Sequence, residues 1–367
     1  MRVRVPCGLA HLDSLCCEQK LTMSAATPTH ATSFAQLGFG FDDAALVAVP
    51  PKTPRKPPAS AASLLPLPDL HAMACTLDAH ADYRVLRRLP VQRQFLHPAT
   101  GPITRVLILD TETTGLDHTR HRIMELALLL VAVDSATGLP TGEVEVYDGL
   151  EDPGMPISQD VQALTGITDE MVRGQKLDEL RIAALLARAD LVVAHNAGFD
   201  RPFAEARLSQ FAQLPWACSF ADLDWKKEGR SSAKLTQLAL ELGWFYDAHR
   251  AEMDCHALLA VLASPLPVSG HTGLAQLLAV SAKPSYRLQA TAAPFEAKDL
   301  LKARGYRWDG AGKVWHTRLA DEALLQAECD WLREAVYAQR PARVQVECLD
   351  AANRYSSRPG ALDARAL

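Results

Sequence analysis

The stretch RVLILDTETTGLDHTRHRIMELALLLVAV, residues 105–133, contains two apolar runs separated by a polar, turn-rich segment. The runs RVLILD (105–110) and RIMELALLLVAV (122–133) are rich in leucine and β-branched residues, which is typical of buried strands. The next segment, EVEVYDGL (143–150), alternates in polarity and predicts a third strand. Because the connections between these strands are short, the sequence predicts an antiparallel meander.

The chain after the meander alternates between helical and extended patterns. The predicted strands cover 190–196 and 216–222, and the predicted helices cover 178–189, 199–211, 234–243 and 251–263. A meander followed by such alternation predicts an α/β fold, in which a mixed sheet of antiparallel and parallel strands is flanked by helices.

Composition limits the classes of function. The 367 residues carry 38 Lys and Arg against 43 Asp and Glu, a net charge of -5, so a polyanion must be bound by a local patch or through cations. The longest apolar stretch, 123–133, is too short to span a bilayer, and we expect no membrane partner. The eight cysteines contain no C-x-x-C pair, which favours reduced thiols and a cytoplasmic location.

Changes in amino-acid composition along the chain predict five segments. Residues 1–72 hold nine of the 23 prolines and predict a disordered Pro/Ala-rich segment. The main domain covers 83–264 and is followed by a linker over 265–284. A small α+β module over 285–338 contains three of the six tryptophans, and the polar residues 339–367 predict a loose tail.

Four carboxylates occupy positions where the predicted fold brings them together. Asp110 and Glu112 end the first strand and share one face of it, because side chains alternate along a strand. Asp200 follows the fourth strand, and Asp254 lies early in the last helix, five residues after His249. If the first and fourth strands are neighbours, a helix packed across their carboxyl ends completes a four-carboxylate cluster.

Such a cluster calls for divalent cations. Close carboxylates raise each other's pKa, and bound cations relieve the repulsion. Hard oxygen ligands without cysteine select Mg²⁺ or Mn²⁺, and two such ions could clamp the attacking and leaving oxygens of a phosphoryl displacement. His249 is the candidate general base that takes the proton of the attacking water.

Three motifs in this order resemble the DEDDh (DnaQ-like) 3′→5′ exonuclease superfamily, which includes the proofreading subunit of bacterial replicative polymerases. They are LILDTETTGLD (107–117), HNAGFD (195–200) and HRAEMD (249–254), and the resemblance covers residues 103–264. It implies a ribonuclease H-like fold and hydrolysis that releases nucleoside 5′-monophosphates from a 3′ end. It also implies that the four carboxylates hold two metal ions and that the histidine is catalytic.

Five further residues are candidate substrate contacts. The resemblance implies that the backbone around Thr113, Thr114 and Gly115 approaches the terminal nucleotide, although Thr113 also suits a turn. Phe199 is a candidate for stacking on a base, and a core position is an equal alternative. Lys234 could contact phosphate, but a solvated lysine at a helix start is the commoner case.

The sequence therefore predicts a metal-dependent 3′→5′ exonuclease that acts on single-stranded 3′ ends of DNA in repair or proofreading. One alternative keeps the chemistry but changes the substrate to RNA or short oligonucleotides. A second is an inactive nucleic-acid-binding scaffold, against which the complete set of five site residues argues. The resemblance covers the catalytic domain only, so it does not decide between a subunit that partners a DNA polymerase and a stand-alone nuclease.

The C-terminal module permits two interpretations. Its basic residues alternate with aromatic ones over FEAKDLLKARGYRWDGAGKVWHTRL (295–319). Aromatic side chains among cations could stack bases and contact phosphates. The alternative, which the sequence favours, is a small domain that uses its tryptophans as a core.

Overall fold

The computed structural model describes residues 69–310 and 312–367. The disorder predicted for residues 1–72 lies almost entirely outside the described residues. In chain order the strands are β1 (Arg87–Arg88), β2 (Gln94–Phe95), β3 (Ile103–Thr113), β4 (Ile123–Asp134), β5 (Pro140–Leu150), β6 (Leu191–Ala194), β7 (Trp216–Cys218), β8 (Trp244–Phe245), β9 (Ser285–Ala290), β10 (Arg307–Asp309), β11 (Val314–Leu319), β12 (Arg343–Leu349) and β13 (Ala361–Ala366).

The α-helices are α1 (Leu70–Asp78), α2 (Gln159–Thr165), α3 (Asp169–Val172), α4 (Glu179–Leu186), α5 (Ala197–Arg207), α6 (Leu235–Glu241), α7 (Ala251–Ala263), α8 (Gly273–Ser281), α9 (Lys298–Ala303) and α10 (Glu322–Trp331). Shorter 3-10 turns cover Ser209–Gln213 and Phe295–Ala297, and a π-helical turn covers Leu332–Val336. Within the described part of the chain, no helix is long and apolar enough to cross a membrane.

The main sheet has six strands in the order β2-β5-β4-β3-β6-β7. Strands β3, β4 and β5 form the predicted antiparallel meander, whereas β6 pairs parallel with β3 and β7 parallel with β6. This topology confirms the predicted mixed sheet and is that of a ribonuclease H-like fold.

Both faces of the sheet are buried because helices cover each of them. Along β3, Val106 and Ile108 pack on one side with helices α6, α7 and α8. Leu107 and Leu109 point to the other side, where α4 and α5 lie. The two-residue period of a strand thus divides one apolar run between two cores.

The segment predicted as a linker, 265–284, contributes to the first of these cores. Helix α8 lies within it, and Leu274 and Leu277 of this helix are buried against the residues of α7. Because these two leucines are buried, this part of the segment belongs to the hydrophobic core and does not act as a linker.

The C-terminal module is larger than the sequence predicts. Its sheet has the order β10-β11-β9-β12-β13, and α9 and α10 cover one face. The prediction of a loose tail over 339–367 was wrong, because this range supplies β12 and β13. Val344 and Val346 alternate along β12 and are buried in the module's core. Trp315 and Trp331 pack against that core, while Trp308 is 53% exposed.

Residues 350–358, between β12 and β13, form a strap that lies against the main domain. The backbone N–H of Trp216, in edge strand β7, donates to the carbonyl of Ala351 at 2.7 Å. Arg201, which is fully buried in α5, donates to the carbonyls of Ala351 (3.2 Å) and Arg354 (2.6 Å). Arg201 also pairs with Glu205 at 2.7 Å. The strap is therefore an integral part of the main domain.

We expect Arg201→Met to lower the free energy of unfolding by about 3 kcal/mol, because the change leaves buried carbonyls without their donor and removes one of the two arginines that pair with Glu205. Urea denaturation of the full chain measures the loss. The matched control is Arg188→Met, which removes an exposed pair with Glu145 and should cost under about 1 kcal/mol. Equal losses in the two variants would contradict the structural role of the strap.

Candidate active site

Three of the four predicted carboxylates meet at the end of β3. Asp110 and Glu112 lie two residues apart on one face of this strand, and Asp254 approaches from the first turn of α7. One oxygen of each of these three side chains lies within 4.8 Å of the other two. This spacing fits ligands of one divalent cation, since the oxygens are hard donors and converge from two elements.

Asp200 lies beside this group, at the start of α5. The parallel pairing of β3 with β6 places the ends of both strands at one edge, and α5 begins directly after β6. The Asp200 side chain is 3% exposed and accepts a hydrogen bond from Thr111 Oγ1 at 2.8 Å. The three-carboxylate set does not include Asp200, but its charge is the strongest of those that act on Asp110.

The carboxyl groups have raised pKa values for a common reason. Burial raises the pKa of Asp110 well above its usual range, and the charge of Asp200 raises it further. Burial raises the pKa of Glu112 to about 8, with Asp254 and Glu125 adding repulsion. Burial also raises the pKa of Asp200 to about 7. Full ionisation of the cluster therefore needs a compensating positive charge.

His249 lies next to the cluster in an uncommon backbone conformation. Its φ is 65°, in the left-handed region, and its backbone N–H donates to Asp254 Oδ2 at 2.7 Å. Tyr246 donates its hydroxyl to Asp254 Oδ1 at 2.9 Å, so both oxygens of Asp254 are held. His249 itself is exposed.

The loop after β3 is held by its own polar groups. Thr113 Oγ1 donates to the carbonyl of Gly115 at 2.7 Å, and Thr114 Oγ1 accepts from the backbone N–H of Arg122 at 3.1 Å. A Cβ atom on Gly115 would lie 2.5 Å from the ring of His121. A side chain at this position would therefore have to displace the His121 ring.

The two other predicted substrate contacts occupy different environments. Phe199 is partly buried against the core of the α5 side, with its ring 5.1 Å from that of Phe203. Lys234 is exposed and directly precedes α6. The role of each in substrate binding stays a prediction.

Glu125 is a site residue that the sequence reasoning missed. It is fully buried at the start of β4, opposite Glu112, and its carboxylate contacts Arg250 Nη2 at 2.6 Å. The same carboxylate accepts from the backbone N–H of Ala251, the first residue of α7, at 2.9 Å. Glu125 thereby attaches the helix that carries Asp254 to the sheet. The available signal was a lone carboxylate inside an otherwise apolar strand.

The raised pKa values predict how stability depends on pH in the metal-free protein. The folded state holds protons on Glu112 up to about pH 8 and on Asp200 up to about pH 7, whereas the unfolded chain releases them near about pH 4. These two groups therefore stabilise the folded state more at acid pH, and their contribution falls as the pH rises through this interval, by about 1.4 kcal/mol per pH unit for each proton held. Thermal unfolding in EDTA from pH 5.5 to 8.5 measures this slope.

Mg²⁺ or Mn²⁺ should raise the melting temperature more at pH 8.5 than at pH 5.5, because protons compete less for the carboxylates. The double variant Asp110→Asn/Glu112→Gln should lose most of both effects. The double variant Glu143→Gln/Asp160→Asn changes exposed carboxylates elsewhere and should keep both effects. A pH slope unchanged in the first variant would contradict this account of the site.

Comparison with known proteins agrees with this arrangement. Residues 107–262, somewhat under half of the chain, match the family model described as exonuclease. DNA polymerase III PolC-type of Listeria innocua is 37% identical over 101 residues, 26% of this chain and 6% of that protein. The same protein of Streptococcus agalactiae serotype III is 36% identical over 114 residues, 30% of this chain and 7% of that protein. The match thus spans a small fraction of these relatives.

Two solved structures are also similar. Exonuclease X in complex with 5′ overhanging duplex DNA is 26% identical, with a TM-score of 0.36, over 47% of this chain and 97% of that one. Escherichia coli exonuclease I in complex with a dA16 oligonucleotide is 18% identical, with a TM-score of 0.37, over 50% of this chain and 48% of that one. The family match bears out the predicted resemblance: residues 107–262 are similar to the exonuclease family.

Proposed function

We propose that this protein is a metal-dependent 3′→5′ exonuclease that hydrolyses DNA from the 3′ end and releases nucleoside 5′-monophosphates. The observation that carries the proposal is the convergence of Asp110, Glu112 and Asp254 within 4.8 Å. Asp200 lies beside them, and the His249 backbone is bonded to Asp254. An exonuclease fold with this cluster has the groups that phosphodiester hydrolysis requires.

The donor set favours Mg²⁺ or Mn²⁺. Asp110, Glu112, Asp254 and Asp200 would hold two ions through oxygen, and the ions when bound would stabilise the attacking and leaving oxygens. Cys255 follows Asp254 in α7, is buried, and donates its thiol to the carbonyl of Ala127. Burial raises the pKa of this thiol, so it stays protonated and unsuited to metal binding.

The chain's own residues supply the remaining steps. His249 takes the proton of the attacking water and, as an exposed residue, can pass that proton to solvent. The backbone around Thr113, Thr114 and Gly115 contacts the terminal nucleotide. Phe199 stacks on a base, and Lys234 contacts phosphate from the start of α6.

The preference for DNA rests on the relatives. Those at 36–37% identity are named DNA polymerase III PolC-type, and the matched region is the part they share with this chain. We therefore infer a role in DNA repair or proofreading, either with a DNA polymerase as partner or as a stand-alone enzyme. RNA and short oligonucleotides are the competing substrates in the first test.

The test is degradation of matched 5′-labelled single-stranded DNA and RNA with Mg²⁺ or Mn²⁺. We expect a ladder that shortens from the 3′ end, faster on DNA, and no products in EDTA or with Asp110→Ala. Asp160→Asn, which changes an exposed carboxylate in α2, is the control and should keep full activity. Intact strands with the wild-type chain, despite bound metal, would overturn the proposal.

The proposed role of His249 predicts a separate kinetic result. His249→Ala should lower kcat by about 10²- to 10⁴-fold, the usual contribution of general base catalysis, without weakening DNA binding. His271→Ala provides the control, since this exposed histidine lies between α7 and α8. Single-turnover rates and anisotropy titrations separate the two quantities. A fall in affinity with an unchanged rate would assign His249 to binding instead.

A further inference from the structure

The C-terminal sheet has one covered and one open face. On the covered face Leu288, Val344 and Val346 pack with α9 and α10. Residues directly opposite each other in an antiparallel sheet share a face, so the register defines the other face. One row across four strands of that open face consists of Arg307, His316, Gln289 and Gln345. The next row consists of Arg318, Arg287 and Glu347, of which Glu347 is buried.

The open face is positively charged. Arg287 contacts Asp309 at 3.0 Å and Glu347 at 3.7 Å, so those two acids are paired with one arginine. Arg307 and Arg318 are exposed, and neither has an ion pair within residues 69–310 and 312–367.

The register places His316 among these cations, directly opposite Arg307 and two residues before Arg318 on the same strand. Burial lowers the pKa of His316. The charge of Arg287 lowers it further, Asp309 opposes this, and Arg318 and Arg307 add to the lowering.

The charged face contacts the strap through Arg318. The Arg318 guanidinium is 5.5 Å from the ring centroid of Tyr355, a residue of the strap. Tyr355 is buried, donates to Asp222 at 2.5 Å, and would contact a Cβ on Gly198 at 3.9 Å. Gly198 precedes the carboxylate Asp200 by two residues in α5. Tyr355 thus lies between Arg318 and the first turn of α5, the helix that carries Asp200.

We propose that this open face, centred on Arg307, His316 and Arg318, binds the part of a single-stranded DNA substrate that lies 5′ of the nucleotide being hydrolysed. The inference rests on the proposed function, because it assumes that the 3′ end occupies the carboxylate cluster. The guanidinium groups of Arg307 and Arg318 contact phosphates. The amides of Gln289 and Gln345 donate hydrogen bonds to the strand whatever its base sequence. A chain with a net charge of -5 thereby acquires the local basic patch that a polyanion needs.

Truncation does not test this proposal, because it would also remove the strap. Point variants of the full chain do: Arg307→Ala/Arg318→Ala removes both unpaired cations. Arg307→Glu/Gln345→Glu leaves Arg318 on Tyr355 and serves as a second variant if the first fails to fold. Lys298→Ala/Lys302→Ala is the matched control, since it removes two charges from α9, on the covered side of the sheet.

Binding is measured by fluorescence anisotropy in EDTA, with labelled dT20 and dT3 at several salt concentrations. We expect both open-face variants to weaken binding of dT20 at least tenfold at low salt. The slope of log affinity against log salt should fall in magnitude by about 1.4 for two lost phosphate contacts. Hydrolysis of dT3, which is too short to extend over the sheet, should keep its kcat and KM.

Three outcomes would overturn the inference: unchanged binding of dT20, an equal loss in the control, or a loss confined to duplex DNA. These are distinct from failure of the proposed function, because no hydrolysis occurs in EDTA. A chain that binds dT20 through this face but degrades nothing in Mg²⁺ would refute the exonuclease activity alone. If the chain degrades DNA but the open-face variants bind dT20 as well as the unchanged protein does, the binding surface alone is refuted.

Discussion

Repulsion among the carboxylates at the end of β3 is the constraint on which the rest of the domain depends. Burial already raises the pKa of Asp110 and Glu112, and the neighbouring carboxylates raise it further. Such a cluster keeps its geometry only if other contacts hold its members, because the members repel one another. Those contacts come from opposite sides of the site. Glu125 and Arg250 attach α7 to the sheet, and Arg201 attaches α5 to the strap.

The strap changes how the C-terminal module is understood. A module joined by a linker could move freely, and its loss would leave the catalytic domain intact. Here residues 350–358 complete the edge of the main sheet at Trp216 and satisfy the buried Arg201. The helix that carries Asp200 is therefore stabilised by residues about 150 positions further along the chain. Catalytic domain and module form one structural unit.

The strands and helices of the main domain were predictable because their signals are local. Runs such as 122–133 are long and apolar, and α7 was predicted over the residues it occupies, 251–263. The errors concern short segments. Strand β12 has only a few alternating apolar residues among polar ones, and its partners β9 and β13 lie elsewhere in the chain. Two leucines of α8 identify a core helix only once their neighbours in α7 are known.

The sequence by itself determined that Asp110, Glu112 and Asp254 would converge, because strand ends and a helix start fix where side chains emerge. It also predicted the resemblance to exonucleases over residues 107–262, through motifs in which each residue has a local structural position. Only the tertiary structure decided that Glu125 holds Arg250, that Arg201 binds the strap, and that Arg307 and Arg318 share an open face beside Tyr355. These contacts join residues far apart in the chain, so they depend on how the sheets pack rather than on any local pattern.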